Sequence, residues 1–193
     1  MNDSWDDYAD DWDQNPDART YSEKAFEQLR AAVEIKGARV LDFGCGTGLL
    51  TEKIAPLATA ITALDASQKM VAVLEAKRLP NVTAICGTLE DYQATFRGEG
   101  RPPFDLVVAS SVCAFVDDYT ATLRHILSLL KPGGRFVQWD WLSPEGSSHP
   151  GFTEAQISSA MKESGFSQFT VGTGFQMDGP EGGAAVLMAV AVK

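Results

Sequence analysis

Residues Val40–Gly48 read VLDFGCGTG: a short β-rich run that closes on an acid, Asp42, and then glycines at 44, 46 and 48. Glycines at alternate positions let the backbone turn tightly and let a ligand approach without meeting a Cβ. Their place, between a predicted strand and a predicted helix, marks a cofactor seat. The spacing says which cofactors it suits. A dinucleotide fingerprint, GxGxxG, counted from Gly44 would need its third glycine where Leu49 stands, and counted from Gly46 would need it where Thr51 stands. A P-loop would follow its glycine with Lys and Ser or Thr, and Gly48 is followed by Leu49. Neither a nicotinamide dinucleotide nor a polyphosphate is indicated.

On either side of this loop, β-rich runs alternate with amphipathic stretches, the pattern of parallel strands crossed over by helices. The runs Arg39–Phe43, Ala60–Leu64, Val82–Ile85, Phe104–Ala109 and Arg135–Trp141 read as strands. Leu49–Ala55, Ser67–Lys77 (capped by Ser67) and Asp118–Leu130 read as helices, with Leu123, Ile126, Leu127 and Leu130 on one face of the last. LKPGG at Leu130–Gly134 reads as a turn launching the fifth strand. Toward the C-terminus, Thr153 and Gln156 cap a further helix running to about Ser164. Gln168–Met177 and Ala184–Val192 then form β-rich runs joined by DGPEGG, a hairpin signal. Near the N-terminus, Thr20 and Glu23 form a capping-box pattern and predict a helix over Tyr21–Val33. Residues 1–20 carry seven Asp before the first cation, Arg19, interspersed with Trp5, Tyr8 and Trp12. Such charge predicts a solvated arm, and the aromatics predict that part of it docks. At 193 residues the chain predicts one domain, with residues 1–20 as an arm or lid.

Taken together, Asp42 with Gly44, Gly46 and Gly48, the run ITALDAS, the strand FDLVVASS and the turn LKPGGRFV resemble the class I S-adenosylmethionine-dependent methyltransferases. The resemblance spans most of the chain. It implies a Rossmann-like, doubly wound α/β sheet of seven strands in the order 3-2-1-4-5-7-6, mostly parallel with a C-terminal antiparallel hairpin. It also implies S-adenosylmethionine as methyl donor and S-adenosylhomocysteine as product. Asp42 inherits a place near the methionine part of the donor, supporting the glycine loop. Asp65, followed by Ala66 at the end of the second strand, inherits the ribose hydroxyls; paired carboxylate oxygens suit a vicinal diol at about this spacing. The family's third motif usually reads Gly-Asp, and CGTLED puts Thr88 where the acid belongs. Thr88 offers a hydroxyl, Leu89 a surface for the adenine, and Glu90 a substitute carboxylate. Backbone at Ala109 and Ser110 approaches the methionyl group. Tyr8, Trp12 or Arg19 of the arm would touch the donor's methionine end.

Composition narrows the acceptor. A net charge of -10 repels phosphate backbones, so a nucleic acid is disfavoured and a small molecule expected. The opening MNDSWDDYADDWD lacks the basic start and apolar run of a secretory signal, and no apolar stretch approaches bilayer length, so a cytoplasmic protein without membrane spans is expected, as monomer or homodimer. Cys45, Cys86 and Cys113 are widely spaced without a CxxC pair, and no metal is expected. A general base is needed only if the acceptor loses a proton as it attacks. Asp117, Asp118, Asp140 and His149 are candidates at predicted strand ends, whereas His125 reads as structural. Trp139 and Trp141 share one face of their strand and read as core, with stacking on a flat acceptor as the lesser alternative. The rival readings are a non-catalytic S-adenosylmethionine-binding protein or partner subunit, an aminopropyl transferase, and a nicotinamide-dependent reductase.

Overall fold

The computed structural model describes residues 3–96, 102–143, 147, 149–178 and 183–193. Two short helices, α1 (Asp3–Asp6) and α2 (Ala9–Trp12), precede α3 (Pro16–Ala32). Then follow β1 (Arg39–Phe43), α4 (Leu49–Ile54), β2 (Ala60–Asp65), α5 (Gln68–Ala76), β3 (Val82–Cys86), α6 (Leu89–Phe96) and β4 (Phe104–Ser110). A 3-10 turn at Cys113–Phe115 leads into α7 (Tyr119–Leu129), β5 (Leu130–Trp141), α8 (Glu154–Ser164), β6 (Gln168–Met177) and β7 (Ala184–Val192). The strands form one sheet in the order β3-β2-β1-β4-β5-β7-β6. Its first five strands pair in parallel, and β7 enters antiparallel between β5 and β6. This is the expected α/β architecture and strand order.

Period-two alternation along the strands feeds two separate cores. Val40, Leu106, Val108 and Trp139 face Leu29 of α3 and Ile54 of α4. Leu41, Val107, Ala109 and Phe136 face Leu123 of α7 and Ile157 of α8. Because helices cover both faces of the parallel strands, those strands read as nearly continuous apolar runs. The strand order reverses between β1 and β4. Ligands in open α/β sheets bind at such a switch point, beyond the carboxyl ends of the strands.

Three local expectations need correction. Helix α3 begins at Pro16, not near Thr20: the Asn15 side chain accepts from the N–H groups of Asp17 (2.9 Å) and Ala18 (3.3 Å), with proline at the first helical position. Thr20 instead donates from within the helix to the Pro16 carbonyl (2.8 Å). The KPGG segment is not a free turn but a bulge inside β5, between the pairings Phe104↔Leu130 and Leu106↔Arg135, and Gly133 N–H donates to the Lys193 carbonyl (2.9 Å). The helix α6 was not expected at all. Its cap is Thr88, whose hydroxyl accepts from Asp91 N–H (3.2 Å) while the Asp91 carboxylate accepts from Thr88 N–H (3.0 Å). The DGPEGG turn falls largely on residues 179–182, outside the described residues. Among the described residues no helix is long and apolar enough to cross a membrane.

Candidate active site

A cavity of about 680 Å³ opens over the carboxyl ends of β1, β2 and β4. Its size lies in the range of small-molecule sites, about 300–1,000 Å³. The three loop glycines differ in what requires them. All have positive φ, +70° at Gly44, +52° at Gly46 and +87° at Gly48. A Cβ at Gly44 would lie 2.4 Å from Val112, and one at Gly48 would lie 2.4 Å from Leu74, so both are fixed by protein packing. A Cβ at Gly46 would meet nothing within 4 Å. Gly44 and Gly46 border the cavity, and Gly46 is the member of the trio with open space before it.

Asp65 organises this loop. Its Oδ2 accepts from Gly46 N–H (2.7 Å) and its Oδ1 from Ser67 N–H (2.8 Å), which binds the end of β2 to the glycine loop of β1. Each carboxylate oxygen retains a free lone pair for a further donor. Burial holds the Asp65 carboxyl above its ordinary range, against those two hydrogen bonds. Asp42 is more deeply buried, at 1% exposure. Its Oδ2 accepts from the Thr51 hydroxyl (2.6 Å), whereas Oδ1 has no partner although the residue borders the cavity. Desolvation pushes this carboxyl up to about 7.

Thr88, Leu89 and Glu90 line the cavity beyond β3, and Ala66 lines it beyond the neighbouring β2. Capping α6 occupies Thr88, whose hydroxyl also donates to Asp91 (2.9 Å). Leu89 is buried and apolar at the cavity wall. Glu90 Oε1 lies 3.2 Å from His125 Nδ1, so His125 is the partner of a cavity carboxylate and not merely a surface residue. Ser110 borders the cavity; Ala109 is fully buried beneath it.

The N-terminal segment is solvated over much of its length and docks at three anchors. Asp6 accepts from the Ser67 hydroxyl, and from Lys69 N–H (3.2 Å), which lowers its pKa. The Asp13 carboxylate accepts from the Thr47 hydroxyl of the glycine loop (2.5 Å) and pairs with Lys77 (2.7 Å), itself paired with Glu52 (2.8 Å). The third anchor is Trp5, edge-on to Phe115 (5.2 Å) and to Trp12 (6.0 Å). Trp5 and Trp12 border the cavity, whereas Tyr8 is 58% exposed and does not.

The candidate bases separate. Asp117 and Asp118 border the cavity, Asp118 also capping α7 through Ala121 N–H (2.8 Å). Asp140 lies away from it, fully buried, accepting from Ala114 N–H (3.3 Å) and Gln138 Nε2 (3.2 Å), with its carboxyl raised by desolvation to about 8. His149 is exposed in the loop after β5, outside the cavity lining. Burial pushes the Cys45 and Cys113 thiols well up, as suits packing residues. Among the described residues no cluster of His, Cys, Asp or Glu could hold a metal ion. Across the sheet, on the β5 side, the wall is Tyr21, Ser22, Trp141 and Met177. Sequence reasoning named none of Tyr21, Ser22 and Met177 as a site residue and gave Trp141 a stacking role only as the lesser alternative to core packing.

A sheet ordered 3-2-1-4-5-7-6, with a glycine loop and acids closing its first two strands, defines the Rossmann-like methyltransferase architecture. A family model described as a methyltransferase domain matches residues 41–136, and the chain belongs to the class I S-adenosylmethionine-dependent methyltransferases. Among curated proteins it is similar to a ubiquinone biosynthesis O-methyltransferase of Xanthomonas euvesicatoria pv. vesicatoria, 38% identical over 112 residues, which are 56% of this chain and 45% of that protein. A counterpart from Xanthomonas campestris pv. campestris is 37% identical over 111 residues, with the same shares of each chain. The matched segment thus spans about half the length of these relatives. Among solved structures the fold is that of DhpI in complex with S-adenosylhomocysteine (TM-score 0.75, 24% identity, 98% of this chain and 93% of that one). It is likewise that of magnesium protoporphyrin IX methyltransferase from Synechocystis PCC 6803 (TM-score 0.67, 19% identity, 90% and 83%).

Proposed function

We propose that this chain binds S-adenosylmethionine in the described cavity and transfers its methyl group to a small-molecule acceptor. The observation that carries this reading is Asp42 Oδ1, a buried carboxylate oxygen without a partner, beside a glycine loop with open space at Gly46. A carboxylate so placed, in a residue that borders the cavity, favours an ammonium group nearby. Asp42 would hold the amino group of the methionine moiety. Asp65, fixed by two backbone N–H groups, keeps one lone pair per oxygen for the ribose hydroxyls. Leu89 offers an apolar surface to the adenine, with Glu90 at its edge. Ser110 approaches the methionyl end.

When bound, S-adenosylmethionine supplies an electrophilic methyl group on a sulfonium that already bears the positive charge. The chain's own contribution is then placement: holding the donor at β1 and β2 and the acceptor beyond β4, in line. The helices α1 and α2 act as a lid that excludes water, anchored through Asp6, Asp13 and Trp5. We further infer a cytosolic single-domain protein, a monomer or homodimer, without a nucleic-acid partner; the charge of -10 supports the last point.

The test is calorimetry with S-adenosylmethionine and S-adenosylhomocysteine, followed by transfer of a tritiated methyl group across a panel of small metabolites. Binding of both and labelling of at least one acceptor is expected. Failure to bind either ligand rejects the proposal, and tight binding without any transfer would favour a non-catalytic binding protein or partner subunit.

A further inference from the structure

Asp140 is a buried acid that methyl transfer leaves unused. It is 1% exposed, lies outside the cavity lining and shares one face of β5 with Gln138. A position that needed only packing would hold an apolar side chain, since a buried carboxyl without a cation carries a large desolvation penalty. The titratable groups around it, Cys113 of the 3-10 turn, Tyr119 of α7 and Tyr21 of α3, are themselves pushed toward their neutral forms by burial.

The contacts of Asp140 lead to one segment, the link between β4 and α7. Its Oδ1 accepts from Ala114 N–H (3.3 Å) inside the 3-10 turn, and the N–H and thiol of Cys113 act on the same carboxyl. Its Oδ2 accepts from Gln138 Nε2 (3.2 Å), and Gln138 Oε1 accepts from the Tyr119 hydroxyl (2.7 Å) in the first turn of α7. The link meets the site on its other side. It leaves β4 at Ser111, whose φ of +57° is costly for a residue with a Cβ and is held by its N–H donating to the Trp139 carbonyl (2.7 Å). Val112 packs on Gly44 so closely that a Cβ there would lie 2.4 Å away. Phe115 meets Trp5 of the N-terminal segment edge-on at 5.2 Å. Val112, Phe115, Val116 and Asp117 all border the cavity.

Resting on the proposed methyl transfer, we infer that Asp140 is a positioning residue: from behind the cavity it fixes residues 111–118, and through Phe115 it sets how firmly the N-terminal segment closes on a bound donor. It touches neither donor nor acceptor. The role requires an acceptor oxygen, so an amide at this place serves and an alkyl group does not.

Hydrogen exchange read by mass spectrometry on the whole chain tests this without a ligand. Asp140→Leu is expected to speed exchange of residues 111–118, and of residues 3–14 by about fivefold, the factor that loss of one edge-on ring contact produces. The sheet edges β3 and β6 should exchange as in wild type. Asp140→Asn, which keeps the acceptor oxygen, should restore the wild-type pattern. Adding Trp5→Ala to Asp140→Leu should loosen residues 3–14 no further than Trp5→Ala alone. Faster exchange confined to residues 111–118, faster exchange spread evenly into β3 and β6, or an Asp140→Asn variant that behaves like Asp140→Leu overturns the inference. If Asp140→Leu does not fold, Asp140→Ser, which keeps a hydroxyl but withdraws it from Ala114, decides by the same criteria. Stopped flow then follows release of S-adenosylhomocysteine, expected to quicken about fivefold in Asp140→Leu and to keep the wild-type rate in Asp140→Asn. Failure of S-adenosylhomocysteine to bind wild type refutes the methyl-transfer reading and leaves the exchange result standing. Binding with an unchanged release rate in Asp140→Leu refutes only the part of Asp140 in closure over the donor.

Discussion

Asp42 makes donor binding depend on pH with a definite sign. Burial raises its carboxyl to about 7, against the opposing hydrogen bond from Thr51 and with a further upward push from the charge of Asp65. With that midpoint, about nine-tenths of the free protein holds a proton on Asp42 near pH 6, and about one-tenth near pH 8. An ammonium group near the carboxyl favours the ionised form, so it titrates lower in the complex than in the free protein. Binding near pH 6 then releases about 0.9 proton, and affinity climbs by up to about tenfold per pH unit until about pH 7, where it levels off. Calorimetry with S-adenosylhomocysteine in two buffers of different ionisation enthalpy counts the released protons directly. Asp42→Asn should abolish the release and flatten the profile. The same substitution acts oppositely on the unliganded fold. The folded carboxyl titrates above its unfolded value of 3.8, so the folded state binds the extra proton, and the contribution of Asp42 to stability is present below pH 3.8 and lost as pH rises to about 7. The loss is at most roughly 4 kcal/mol. Asp42→Asn should therefore unfold later than wild type in urea near pH 8 while binding the ligand far more weakly. A wild-type protein that exchanges no protons on binding and shows flat affinity between about pH 6 and pH 8 refutes the reasoning.

Gly44→Ala should cost about 2–4 kcal/mol in urea unfolding, from the forced left-handed backbone and the collision with Val112, whereas Gly46→Ala should cost only about 1–2 kcal/mol for the backbone alone. Equal costs would contradict the division of labour within the loop. Asp140→Asn should leave stability within about 1 kcal/mol near pH 6, where the acid is already protonated. Above about pH 8, the value to which burial raises the Asp140 carboxyl, the same variant should be more stable than wild type, since the ionised acid is the form that burial penalises. Trp5→Ala, which deletes an edge-on contact worth about 1 kcal/mol, should speed release of S-adenosylhomocysteine about fivefold in stopped flow with little change in melting temperature.

Sequence reading reached the strands because each is a continuous apolar run bounded by turn residues, as buried parallel strands must be. It reached Asp42 and Asp65 for a related reason: each is the acid at the carboxyl end of such a run, facing the switch point. It misplaced the start of α3 because two cap patterns compete within a few residues, and Asn15-Pro16 prevails by combining a side-chain cap with a proline already set at helical φ. It missed α6 because Thr88–Asp91 was read only as a departure from a motif. The departure has a local cause: Thr88 and Asp91 form a reciprocal cap, so the Thr88 hydroxyl is spent on the helix.

The N-terminal segment shows where one-dimensional reading stops. Seven aspartates among the first seventeen residues look like a solvated tail when counted. In three dimensions two of them are tethers: Asp6 meets the N-terminal end of α5, where a helix dipole favours negative charge, and Asp13 joins the Thr47 hydroxyl to Lys77. Both tethers end on the elements that carry Asp65 and the glycine loop, since Ser67 lies two residues beyond Asp65 and Thr47 lies between Gly46 and Gly48. A ligand seated between those elements would thus bear on the anchors of the N-terminal segment as well as on the cavity floor. That coupling depends on contacts between residues 34 and 61 positions apart, which no local pattern encodes.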